Sequence, residues 1–182
     1  METGLEHLQK ISRSLAKVAA LGEGDTGSFD LNSAVRSTVR ENGLAASLEL
    51  EEGVGLVYGR ESDVRLALSA LLDNAREASS ERGGIRVFTR TDASASRISV
   101  GVEDSTPGPH VKRARPLDSL FTTTGERGRG LGLTLAGSVA AAHGGEIEIE
   151  DRKEGTSVSL HFPVGQEGDA HPGVGGKARH RG

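Results

Sequence analysis

Asn74, Asp104 and the glycines of GERGRGLGL (residues 125–133) are the residues of this chain whose types and order could handle phosphate. Asn74 lies in LLDNAREA, one amide at the edge of a run of leucines and alanines. It is either a metal or phosphate ligand facing a pocket, or a capping, partly exposed side chain. Asp104 closes VGVED and precedes a Pro-Gly turn. A carboxylate there can accept a hydrogen bond from an exocyclic amine, or simply end a strand. The glycine stretch runs straight into TLAGSVAAAHGG, so its backbone freedom sits at a helix start. Three phosphate-cradling patterns compete for it. A Walker loop needs Lys-Ser or Lys-Thr, and neither pair occurs in the chain. A dinucleotide fingerprint needs a third glycine where Leu133 stands, and the preceding PLDSLFTTT is a poor parallel strand. The third pattern is a glycine-rich lid over a nucleotide, feeding a helix whose first N–H groups and dipole bind phosphate. Each feature alone has a bland reading, the flexible loop included. The ordered set of helix Asn, strand-end Asp and glycine-rich lid is much rarer.

These residues need elements to hold them. DLNSAVRSTVRENG predicts a helix capped by Asp30 and closed by Gly43. SLELEE alternates like a strand. ESDVRLALSALLDNAREASS is the clearest helix, with Val64, Leu68, Leu71, Leu72 and Ala75 on one apolar face. GIRVFTR and RISVGVED alternate around a polar turn and predict a hairpin. After the glycine stretch come a helix to His143, a glycine stop, the strand EIEIE, the turn DRKEGT and the strand SVSLHFPV. Leu8, Ile11, Leu15 and Val18 form a short heptad stripe, read as a dimer or docking helix or as a surface helix, with GEGDTGS as a linker after it.

Composition narrows the classes. Net charge is −4, so no basic field points to nucleic acid. There is no cysteine, which removes disulfide frameworks and thiolate metal sites and suits a reducing cytoplasm. No apolar run reaches the length of a membrane span. Aromatic residues make up 3%, so the core must be built from Leu, Val, Ile and Ala.

The motifs resemble the catalytic ATP-binding domain of bacterial sensor histidine kinases, in the wider Bergerat-fold group with gyrase, mismatch-repair and heat-shock chaperone ATPases. The resemblance covers about residues 29–164. LSALLDNAREAS looks like the N box, VEDSTPG like the first glycine box, LFTTT like the phenylalanine box and lid, and GRGLGL like the second glycine box. AAHGGEIEIE and EGTSVSLHFP match the domain's end. TTT and His-Gly-Gly look most like the nitrogen-regulation type.

The resemblance implies roles. Asn74 would ligate Mg²⁺ bridging the ATP phosphates, and Asp104 would bind the adenine amine. Gly108 would shape the floor under the base. Thr122, Thr123, Gly128, Gly130, Leu131 and Gly132 would cover the phosphates. His143 would be structural, at the helix end. The chain departs from the family at three places. Ala70 stands where kinases often have Asn and hydrolytic relatives have a glutamate base, which argues against a gyrase-like ATPase. Thr106 replaces the first glycine of its box. Thr124 replaces a lid lysine, for which Arg127 and Arg129 are the candidate substitutes.

The expected fold is an α/β two-layer sandwich, a mixed sheet covered on one face by helices, with an N-terminal helix. Residues 1–24 are expected to resemble the end of a dimerisation hairpin plus linker, 25–165 to form the ATP-binding domain, and 166–182 to be a disordered tail. No acceptor box surrounds His7, so the chain is read as a fragment or a small stand-alone protein. The expected function is histidine phosphorylation on a separate acceptor domain or in a parent kinase, with a response regulator downstream and a possible homodimer through the N-terminal helix. The alternatives are a nucleotide-sensing module without transfer and an anti-sigma-type serine kinase.

Overall fold

In the structure, a computed structural model, the described residues are 12, 16, 19–79, 84–94, 96–105, 130–152 and 155–164. Helix α1 spans Leu31–Asn42. Asp30 caps it by accepting the Ser33 N–H at 2.6 Å, and Gly43 closes it in the left-handed region at φ 66°. Helix α2 spans Glu61–Ala78, and its predicted apolar face of Val64, Leu68, Leu71, Leu72 and Ala75 is buried throughout. It stops at Ala78, where Ser79 turns extended, directly before the serine pair included in the predicted helix. Helix α3 spans Gly130–Ala142, so the second glycine box opens it.

Seven strands accompany the helices: β1 (Gly27–Asp30), β2 (Ala46–Leu50), β3 (Leu56–Gly59), β4 (Ile85–Asp92), β5 (Arg97–Asp104), β6 (Glu146–Asp151) and β7 (Thr156–Pro163). Five form one mixed sheet in the order β2-β4-β5-β7-β6, with β2 parallel to β4 and the other pairs antiparallel. The predicted β4–β5 hairpin pairs from Ile85 with Asp104 to Asp92 with Arg97. One sheet face carries Val87, Ile98, Val100, Val102, Leu160 and Phe162 into the core beneath the helices. The alternation of period two sends Arg86, Phe88, Arg90, Arg97 and Glu103 to the other face. There Glu103 lies between Arg86 and Arg152, and Glu49 between Arg86 and Arg90.

The small β1–β3 pair was not anticipated. GSFD and LVYG are four-residue strands whose own pattern is too short to show a period; their pairing with each other defines them. The segment read as a linker is also tied down. Leu21 packs against the core, Gly22 donates its N–H to Asp63 at 3.0 Å, and the Glu23 carbonyl accepts from Ser62 Oγ at 2.7 Å. Leu8, Ile11, Leu15 and Val18 and the segment 166–182 lie outside the described residues.

Candidate nucleotide site

The α2 face that fills the core turns Asn74 to its edge, where it is half-buried. Its Nδ2 has no hydrogen-bond partner among the described residues. Against it sits the start of α3. A Cβ built on Gly132 would stand 2.8 Å from Asn74 Nδ2, 3.0 Å from Oδ1 and 3.2 Å from Cγ. Gly132 is therefore a glycine for space: the backbone of α3 comes so close to the carboxamide that a side chain there would require Asn74 to move. An α-helix leaves its first N–H groups without intrahelical acceptors, here those of the glycine box, and its first turn carries no acidic residue. An amide Nδ2 without a partner among the described residues, next to N–H groups that lack intrahelical acceptors, is a place for an anion and its counter-ion.

Asn74 also offers a hard oxygen of the kind Mg²⁺ accepts. Among the described residues no three His, Cys, Asp or Glu side chains gather into a metal cage. Mg²⁺ that keeps waters and takes phosphate oxygens needs only one or two protein ligands. The donor set thus fits Mg²⁺ brought in with a nucleotide.

Asp104 is the last residue of β5, half-buried, with its backbone in register with Ile85 of β4 and Thr156 of β7. Gly155, just before β7, has φ 101°, and a Cβ there would stand 1.6 Å from the Asp104 carbonyl oxygen. Ser105 donates its N–H to Gly84 O at 3.2 Å. The strand end is thus gripped from both neighbours, on the β7 side by Gly155 and Thr156 of the EGTSVSLHFP stretch. Ala70, one turn before Asn74, is buried and has no group that could act as a base.

Of the predicted site residues, the structure brings Asn74 and Gly132 together and fixes Asp104 at its strand end. Gly130 and Leu131 form the first positions of α3, and only their backbone is described. Gly108, Thr122, Thr123, Arg127, Gly128 and Arg129 lie outside the described residues, as do Thr106 and Thr124. His143 is structural, as expected, but its partner was missed: its Nε2 accepts the Arg60 N–H at 3.0 Å. Only Gly59 in LVYGR hinted at a close approach there.

Among the described residues no helix is long and apolar enough to cross a membrane. The family described as "Histidine kinase-, DNA gyrase B-, and HSP90-like ATPase" matches residues 59–166. The C4-dicarboxylate transport sensor protein DctB of Rhizobium meliloti is 36% identical over 94 residues, 50% of this chain and 15% of DctB. The nitrogen regulation protein NtrY of Azorhizobium caulinodans is 33% identical over 111 residues, 58% of this chain and 14% of NtrY. The chain thus aligns with a small part of each of these longer proteins. The catalytic domain of histidine kinase ThkA superposes with a TM-score of 0.63 at 25% identity, covering 78% of this chain and 98% of that domain. ThkA in complex with the response regulator protein TrrA has the same fold, with a TM-score of 0.67 over 90% of this chain and 50% of ThkA, at 21% identity.

Proposed function

The chain belongs to the histidine kinase-, DNA gyrase B- and HSP90-like ATPase family and carries the ATP-binding catalytic domain of a histidine kinase, and from that premise we propose how it works. It holds ATP between the helices and the glycine-rich segment and passes the γ-phosphoryl group to a histidine on a separate acceptor domain. The observation that carries this reading is the Asn74 carboxamide, its Nδ2 without a partner among the described residues, close against the helix start at Gly132. Asn74 holds Mg²⁺, and the Asp104 carboxylate accepts from the adenine amine. Mg²⁺, when bound, offsets phosphate charge. The backbone N–H groups from Gly128 to Gly132, with Thr122 and Thr123, cover the phosphates, Gly108 lies under the base, and Arg127 and Arg129 hold developing charge. Such positioning and charge stabilisation are the main contributions to phosphoryl transfer.

The acceptor brings its own nucleophile. A neutral imidazole nitrogen uses its lone pair to form the N–P bond. The bond from γ-phosphorus to the bridging oxygen breaks, and its electron pair leaves with ADP. The ring's other nitrogen then gives its proton to solvent. No strong base is needed from this domain, which agrees with Ala70 one turn before Asn74. A response regulator is the downstream partner, by likeness to ThkA and its complex with TrrA. The setting is cytoplasmic, where ATP is available.

Thr106, in place of a glycine, favours a second reading: a module that binds nucleotide without transferring phosphate. One assay separates them. The chain is given radiolabelled γ-phosphate ATP with Mg²⁺ and acceptor domains in trans, its cognate one and those of related kinases, alongside a nucleotide titration. Acid-labile, alkali-stable label on the acceptor, lost with Asn74→Asp, supports transfer. Saturable binding with no label on a cognate acceptor leaves the binding module. No binding at millimolar nucleotide removes both.

A further inference from the structure

The two helices that meet at Asn74 and Gly132 are held together a second time, at the opposite end of the pair. Arg60, the N-cap of α2, donates its backbone N–H to His143 Nε2 at 3.0 Å. His143 directly follows α3, and its Nδ1 lies 2.8 Å from the Val139 carbonyl oxygen. The two contacts together require a neutral ring that carries its proton on Nδ1: Nδ1–H donates and Nε2 accepts. The ring is 9% exposed. It meets Phe162 edge-on, with centroids 6.0 Å apart at 78°. Its other boundary is Gly59, where a Cβ would fall 2.0 Å from His143 Cδ2. Gly59 and Phe162 thus border the ring closely on two sides of its socket.

The beginning of α2 therefore lies by the end of α3, while Asn74, late in α2, lies by the start of α3. The pair is antiparallel, with contacts about 20 Å apart along α2 at 1.5 Å per residue. At the Asn74 end Gly132 comes close to the carboxamide, and Asn74 Nδ2 has no partner among the described residues. Between the ends both helices bury apolar side chains such as Leu71, Leu135, Ala136 and Val139 in the same core. The hydrophobic driving force for such burial is non-directional. At the other end His143 adds a directional hydrogen bond between the two helices.

We infer that His143 is a positioning residue for the nucleotide site. By pinning the end of α3 to the first turn of α2, it sets how closely Gly132 approaches Asn74. The inference rests on the reading of Asn74 and Gly132 as the nucleotide site, and its test has a readout that needs no nucleotide. In the full chain, the Asn74 side-chain amide and the Gly132 N–H are followed by ¹⁵N NMR, with affinity for a fluorescent ATP analogue and Tm alongside. His143→Phe keeps a ring in the socket but offers nothing to the Arg60 N–H. His143→Asn is too short to reach it and serves if the Phe variant does not fold. His143→Gln puts a carbonyl oxygen near the place of Nε2. The expected result is that Phe or Asn shifts both resonances and weakens nucleotide binding about three- to tenfold, the size of a coupling carried through packed elements. Gln restores both toward the parent, even where its Tm stays lower. Unmoved Asn74 and Gly132 resonances in a folded variant would overturn the inference. So would losses that track Tm alike in all variants. If the parent binds no nucleotide, the proposed function falls, and the resonances still decide the role of His143.

Discussion

Gly132 lies so close to Asn74 that a Cβ on the glycine would stand 2.8 Å from the carboxamide nitrogen. The Gly132 side of this contact is helix backbone, but the Asn74 side is the tip of a side chain that can swing away. Gly132→Ala should therefore leave the fold intact, because alanine is the better helix former. It should instead rotate Asn74 out of place. Displacements on the ångström scale cost phosphoryl transfer up to about a hundredfold. The expected outcome is a Tm at or above the parent's with Mg²⁺-dependent nucleotide binding and transfer sharply reduced. Parent-like binding by a folded Gly132→Ala protein would take Asn74 out of the site.

Gly155 makes the opposite kind of contact. Its neighbour is the Asp104 backbone, with 1.6 Å from a built Cβ to the carbonyl oxygen, and φ is 101°. Neither partner can give way. Gly155→Ala should cost at least about 1–3 kcal/mol for the backbone conformation alone, with the clash added. It should also weaken nucleotide binding by moving the strand end that carries Asp104. Gly53 is the control: its φ is 72° and a Cβ would meet nothing within 4 Å. Gly53→Ala should cost only the left-handed penalty, roughly 1–2 kcal/mol, and leave affinity unchanged. Urea melts of both variants test the difference; equal losses would mean that Gly155 is needed for its φ and not for its closeness.

These contacts show what the sequence made legible. The α2 face from Val64 to Ala75 and the β4–β5 hairpin follow from periodicity, because burial on one face leaves a repeat that can be counted. Asn74 stood out as the one amide in an apolar run. The spatial reason for Gly132 did not, since it depends on how α3 crosses α2, and a glycine needed for space looks in sequence like one needed for freedom. The β1–β3 pair and the His143–Arg60 bond join residues far apart in the chain, with no local pattern to announce them. The linker looked free because Gly, Glu and Asp dominate it, yet its hold comes from Ser62 and Asp63, on a helix read for its apolar face.

Asp63 makes that hold testable. It is 5% exposed and accepts the Gly22 N–H. Asp63→Ala removes the acceptor and leaves a backbone donor unpaired, for an expected loss of about 1–3 kcal/mol. Asp63→Asn keeps an oxygen at the same place and should recover most of it. Hydrogen exchange localises the effect: the Gly22 N–H should exchange faster in the alanine variant. Unchanged exchange at Gly22 would show that the linker is held by Leu21 packing and the Ser62–Glu23 bond without Asp63.

The outer sheet face should respond to acid without involving the nucleotide site. Glu49 takes hydrogen bonds from Arg86 at 2.8 Å and Arg90 at 3.2 Å. The Arg86 hydrogen bond, ahead of the other causes, holds its carboxyl below the ordinary glutamate value. Its folded pKa is therefore below its unfolded one. A group of this sign contributes stability above the unfolded pKa and loses it as pH falls through the folded pKa. Glu49→Gln should have a slightly lower Tm than the parent at neutral pH. The gap should close as pH drops from about 5 to 3, across and below the usual carboxylate range. Glu49 is exposed, so the gap should be small and shrink in salt. Arg86 keeps Glu103 as a partner in the variant, so the fold should persist. Nucleotide affinity at neutral pH should match the parent's, because Glu49 projects from the face opposite the helices. A Tm gap constant from neutral to acid pH would show that Glu49 acts through packing and not through its charge.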